Sequence, residues 1–186
     1  MSSRKGLRIY LSAAILSLLA PAHVLAQGGF AEPASQADIA DVYLSVAIDG
    51  ENLPAGSGTP DAGKPLYVTH CAACHGIDGE GTLAQRLVGG RGSLASDAPV
   101  KTVGSYWPYA TIVFDYIRRA MPYTAPMSLS DDDYYAITAY LLFLNEIIDE
   151  ATVVDRETLP GIEMPNRDGF VSAYPLVPDR YDYFPR

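Results

Sequence analysis

One short run carries the first chemical signal: Cys71-Ala72-Ala73-Cys74-His75. The chain has only two cysteines, and both lie in this run. Cysteines three apart on a turn of helix can reach the two vinyl groups on one edge of a haem. The next residue then presents an imidazole to the iron, which makes His75 the proximal ligand. A disulfide is the competing use of such a pair in an exported protein. A redox-active C-x-x-C ordinarily accompanies a βαβ pattern, and the sequence has none. No second C-x-x-C-H occurs, so one covalent haem c is expected.

A proximal imidazole needs an acceptor on its other ring nitrogen, commonly a backbone carbonyl. The stretch from Arg86 to Gly89 is the expected source. Met121, next to Pro122, is the expected sixth ligand, with Met127 on the same loop as the alternative. Histidine–methionine ligation raises a haem's potential and suits electron transfer. Met164 reads as core filling. Trp107 offers an indole N–H to a haem propionate, and Tyr106, Tyr109, Arg91, Lys101, Arg118 and Arg119 offer further donors.

The elements that must position these groups are mostly helical. Thr59 can cap a helix with Pro60 at its first position, and Gly63, Tyr67 and Cys71 then share one face. That helix delivers the haem-binding run. Gly76 to Gly104 reads as loop with one short turn of helix. Pro108 opens the next helix, whose stripe is Ile112, Val113, Tyr116, Ile117 and Ala120, ended by Met121-Pro122. Ser130 caps the last helix, and Asp131, Asp132 and Asp133 suit its N-terminal end. Ile137, Tyr140, Leu141 and Leu144 are its expected buried stripe, and it should fade near Ile148. Before this region, Val42, Leu44, Val46 and Ile48 alternate as an extended arm with one buried face. After it, the segment from Thr152 carries five prolines and three tyrosines (Tyr174, Tyr181 and Tyr183) without helical or strand period. It should build no core of its own, should not pack as a helix or strand, and should lie, at least partly, on a catalytic partner rather than on the cytochrome's own surface.

The first 26 residues have a basic start (Arg4, Lys5, Arg8), an apolar run from Ile9 to Ala20, and small residues before Gln27. This is a secretory signal pattern, too short and interrupted for a membrane span. Its removal takes away three of the 13 basic residues and none of the 22 acidic ones, moving the formal charge from −9 to −12. That acidity argues against nucleic acid and favours a partner with a basic docking face. The division is therefore signal peptide 1–26, arm 27–58, haem domain 59–150 and tail 151–186.

From Thr59 to Asn145 the sequence resembles a class I cytochrome c, an all-α fold. Gly63, Tyr67, Ile137 and Tyr140 match the positions where the first and last helices of that fold cross. Residues 100–111, the run Phe114 to Pro122, Leu53-Pro54, the Ala136 to Asn145 helix and Met164-Pro165-Asn166 resemble the SoxD-type cytochrome subunit of sulfane dehydrogenases. Related cytochromes serve sulfite dehydrogenases. The resemblance implies a periplasmic haem subunit that takes electrons from a molybdenum-cofactor subunit and passes them to a downstream cytochrome or oxidase. Larger relatives carry a second haem domain, and many have a proline where Arg86 stands. The alternative is a free, diffusible cytochrome shuttling electrons to a terminal oxidase. A cytochrome that is an enzyme in its own right is disfavoured, because a methionine sixth ligand closes the iron.

Overall fold

The computed structural model describes residues 33, 35 and 45–171. The signal region, Val42, Leu44 and the three tail tyrosines lie outside the described residues. Four helices form the body: α1 (Pro60–His70), α2 (Ala72–His75), α3 (Ala110–Ala120) and α4 (Asp131–Leu144). Strand β1 (Ser57–Gly58) pairs antiparallel with β2 (Val154–Asp155), with Ser57 opposite Asp155 and Gly58 opposite Val154. Single 3-10 turns lie at Ser93–Ala95 and Leu159–Gly161. The architecture is all-α in character, with the two short strands as a clasp.

Local chemistry explains the helix starts. The Thr59 side chain accepts the Ala62 N–H, and Pro60 occupies the first turn, where a missing N–H is harmless. At α4, Ser130 accepts the Asp133 N–H while Asp133 accepts from the Ser130 backbone, a reciprocal cap. The other two acids of that run are also engaged. Asp131 pairs with Arg118 at 2.7 Å, and Asp132 accepts the Ser57 N–H at 2.7 Å. Helix α3 begins at Ala110, two residues after Pro108, with extended Tyr109 before it.

The core is built where α1 crosses α4. A Cβ on Gly63 would come within 1.9 Å of the Ala136 carbonyl oxygen, so the two backbones touch there. Tyr67 follows one turn later and packs on Tyr140, ring centroids 5.4 Å apart. Gly58 presses on the same residue from β1, where a Cβ would meet the Ala136 nitrogen at 2.1 Å. Ala136 and Tyr140 make this crossing from the α4 side; Ile137, expected there, is turned to the cavity described below.

Four expectations are corrected. Helix α4 is not buried along one stripe: Tyr134 through Leu142 are all buried, because α1, α3, β1 and β2 pack around it. Leu144 is only half-buried, and the helix stops there, capped by Asn145, with Glu146 at φ 57°. On α3 the buried face includes Phe114 and Asp115, whereas Tyr116 is exposed. On the arm, Val46 is buried but Ile48 is exposed, because a turn from Ala47 to Glu51 ends the alternation.

The largest correction concerns the segment after Thr152. Val154 and Leu159 are completely buried and Met164 nearly so, all within the core of this chain. The strap is held at Asp155, which accepts N–H groups from Glu157 and Thr158 and the Thr158 hydroxyl. Those bonds hold the Asp155 carboxyl below its ordinary range. Arg156 donates to the Leu53 carbonyl at 2.7 Å. The core contribution escaped a periodicity reading because its anchors stand five residues apart, which is neither a helical nor a strand period.

Candidate haem site

Helix α1 breaks at Cys71 and restarts as α2, rather than running on through the haem-binding run. The Cys71 N–H still bonds the Tyr67 carbonyl, and the Cys74 and His75 N–H groups bond the Cys71 carbonyl. The kink therefore sits on a continuous ladder. Cys71 is half-buried, Cys74 is exposed, and both are free thiols. Burial, with Cys74 as the lesser contributor, pushes the Cys71 thiol up to about 11. A thiol so placed is neutral at physiological pH before it reacts.

Behind α2 the chain turns back. Gly81 donates to the His75 carbonyl at 2.7 Å, and Thr82 and Ala84 donate to the Cys74 carbonyl. This turn brings the Gln85 carbonyl to 2.7 Å from His75 Nδ1. The acceptor is thus Gln85, one residue before the expected 86–89 stretch. A carbonyl can only accept, so Nδ1 donates this bond, and Nε2 is the ring nitrogen left to face a ligand. Tyr67 supports the same turn by donating to the Gly76 carbonyl at 2.9 Å. Burial, with Cys71 next, raises the Tyr67 phenol well above the usual tyrosine range.

Cys71, Cys74, His75, Trp107 and Met121 all line one cavity of about 420 Å³. Its volume lies within the span of cofactor pockets, about 300–1,000 Å³. Val113 and Ile117 of α3 and Ile137 and Leu141 of α4 supply apolar walls. Met121 enters from the C-terminal end of α3 with both backbone groups engaged. Its N–H donates to Ile117, and its carbonyl accepts the Tyr134 hydroxyl at 3.1 Å. Tyr134 is buried on α4 and was not singled out in the sequence; no local pattern marks it. Met127 does not line the cavity and is 53% exposed. Met164 is buried in the core, as read.

The expected propionate donors divide. Trp107 lines the cavity and packs on Tyr116, ring centroids 5.5 Å apart. Lys101 also lines it. Arg118 is paired with Asp131, Arg119 with Asp115, and Arg91 donates to the Asn145 carbonyl. Arg86 is a lining cation that the sequence reading considered only for its backbone. The residues fit haem c: two free thiols on one turn, an imidazole with its Nδ1 already engaged, a methionine and apolar walls line one cavity. Among the described residues no cluster of histidine, cysteine and acids offers a second metal site.

A small helical body closed around such a cavity defines an electron-transfer haem protein of the c type. The chain belongs to the cytochrome c family: the cytochrome c family model matches residues 60–145. It is similar to a chain of the sulfane dehydrogenase SoxCD from Paracoccus pantotrophus, at 40% identity and a TM-score of 0.72. That similarity covers 83% of this chain and 73% of the other. A search of curated protein sequences gave no match. Family membership implies a covalently bound haem c. No helix among the described residues is long and apolar enough to cross a membrane.

Proposed function

We propose that this chain is the monohaem electron-transfer subunit of a periplasmic, molybdenum-cofactor sulfane or sulfite dehydrogenase, exported by residues 1–26. The observation that carries the haem assignment is the convergence of Cys71, Cys74, His75 and Met121 on one cavity. When bound, the haem supplies one-electron exchange between ferric and ferrous iron. The chain does the rest. Cys71 and Cys74 would hold the haem by thioethers, and His75, its ring held by Gln85, would supply one ligand through Nε2. Met121 would supply the other, with Tyr134 holding its carbonyl. Trp107 would donate to a propionate, and Lys101 lines the same cavity. The apolar walls limit water, which favours the neutral ferrous centre and a raised potential.

The partner reading is supported by the likeness to SoxCD, which extends well beyond the region matched by the family model. It draws no support from the arm or the strap, since Val46 and the segment 154–164 pack on this chain itself. Two measurements test the proposal. Acid–acetone extraction should leave haem on the wild-type polypeptide, and Met121→Ala should abolish the far-red sulfur–iron(III) band and lower the potential. Sulfane- or sulfite-dependent reduction of the cytochrome should then require a co-purifying molybdenum subunit. Equal reduction without that subunit would favour the free carrier.

A further inference from the structure

The strap does more than fill the core. After Met164 it runs beside the segment that carries Trp107 and grips both sides of it. Asn166 donates its side-chain N–H to the Tyr106 carbonyl at 2.8 Å. Phe170 meets the Tyr106 ring edge-on, centroids 5.3 Å apart at 77°. Arg167 places its guanidinium 5.1 Å over the Tyr109 ring. A turn with Gly169 N–H on the Asn166 carbonyl holds these side chains in sequence. From the inner side, the Ser105 hydroxyl donates to the Val100 carbonyl and the Thr102 hydroxyl to the Gly89 carbonyl. Trp107 therefore stands between two clamps, its own ring on Tyr116 and facing the cavity.

We infer that Asn166 is a positioning residue: through the Tyr106 carbonyl it holds Trp107 against the haem and keeps that wall closed to water. The carbonyl of residue 106 belongs to the peptide unit leading into Trp107, so its orientation sets where the indole starts. Phe170 and Arg167 restrain the flanking rings, and Asn166 supplies the directional bond. Loss of that bond leaves a half-buried carbonyl to recruit water beside the cavity. Water near the haem stabilises the charged ferric state and lowers the potential. The inference rests on the haem reading above.

Trp107 is the only tryptophan in the chain, which provides a direct readout. A nearby haem quenches indole emission by energy transfer that depends steeply on distance and orientation, so displacement of the ring raises the residual emission. The experiment uses the full holoprotein as wild type, Asn166→Ala, Asn166→Asp and Phe170→Ala. Emission, haem content by absorbance and reduction potential are measured on each. The expected result is a severalfold rise in emission and a lower potential for both Asn166 variants at unchanged haem content. Phe170→Ala should show a smaller change in the same direction. Unchanged emission and potential in both Asn166 variants would overturn the inference, even with a lowered denaturation midpoint, because a purely structural bond moves only the midpoint. A wild-type chain without attached haem would overturn the cofactor reading instead, and this inference with it.

Discussion

The seam between α1 and α4 and the strap after Thr152 both reach the core, by opposite means. At the seam, two glycines let backbone meet backbone: Gly63 and Gly58 press on Ala136 from two elements. The contact is continuous, and Tyr67 on Tyr140 extends it by one turn. The strap instead enters at separated points, Val154, Leu159 and Met164, with turns between them. A seam of this kind fails when atoms are added. A strap of anchors fails when atoms are removed.

The comparison breaks most sharply at Gly63. Gly63→Ala places a methyl group inside the Ala136 carbonyl and should destabilise by at least about 3 kcal/mol, read from the denaturant midpoint. Because α1 carries Cys71, the yield of haem-loaded protein should fall with it. Gly161→Ala is the matched control, since nothing lies within 4 Å of a Cβ there. It should leave both quantities unchanged.

Leu159→Ala tests the opposite mode. Emptying a completely buried leucine site costs about 2.5 kcal/mol, while haem attachment should persist because α1 and α2 are untouched. A variant that loses its haem would make the strap part of the seam.

Tyr67→Phe sharpens the seam further. It keeps the ring on Tyr140 but leaves the buried Gly76 carbonyl with only the longer bond from the Gly79 N–H at 3.4 Å, at a cost of about 1 kcal/mol. The wild-type phenol is also linked to pH. Its folded pKa is raised, so its contribution is complete below the ordinary tyrosine value of 10.0 and is lost as pH rises beyond it. The wild type should therefore lose stability in strong alkali faster than Tyr67→Phe.

The smallest effect belongs to Asp155 on the exposed rim of the strap. Its folded pKa is lowered from 3.8 by bonds from Thr158 and Glu157. The contribution is present above 3.8 and is lost as pH falls through the lower folded value. Protection of the Glu157 and Thr158 amides, taken relative to the intrinsic rate at each pH, should fall in acid, and Asp155→Asn should show that lower protection already at neutral pH. Equal exchange in the two proteins at neutral pH would show that the carboxylate does not hold the turn.

The same contrast decides what could be read from the sequence. The Thr59–Pro60 and Ser130–Asp133 caps and the Gly63–Tyr67 spacing are local patterns with a physical cause, and each stands in the structure as read. Met121 could be placed at one cavity with Cys71, Cys74 and His75 because it ends a helix beside Pro122, and Trp107 because its indole N–H suits a propionate. The strap was illegible for a different reason. Val154, Leu159 and Met164 recur every five residues, a spacing that belongs to neither a helix nor a strand, and burial of each is decided by turns that only the folded body imposes. Gln85 was missed by one residue because the acceptor is chosen by the turn of residues 81–84 onto Cys74 and His75, not by sequence distance. Tyr134 was missed because a tyrosine inside an apolar helix does not announce which distant carbonyl it will bind.

The pairing of Gly58 with Val154 joins positions on either side of the whole helical body. Contacts of such long sequence separation are entropically the slowest to close, since every intervening element must first be near its place. The clasp therefore belongs to the end of folding, because β2 is made only after α4. The half of the protein that bears the thiols and imidazole emerges first and stays unclasped while the remainder follows. In a chain whose cofactor is joined by covalent bonds, that order gives the attachment chemistry its interval, and closure of β1 on β2 marks the interval's end.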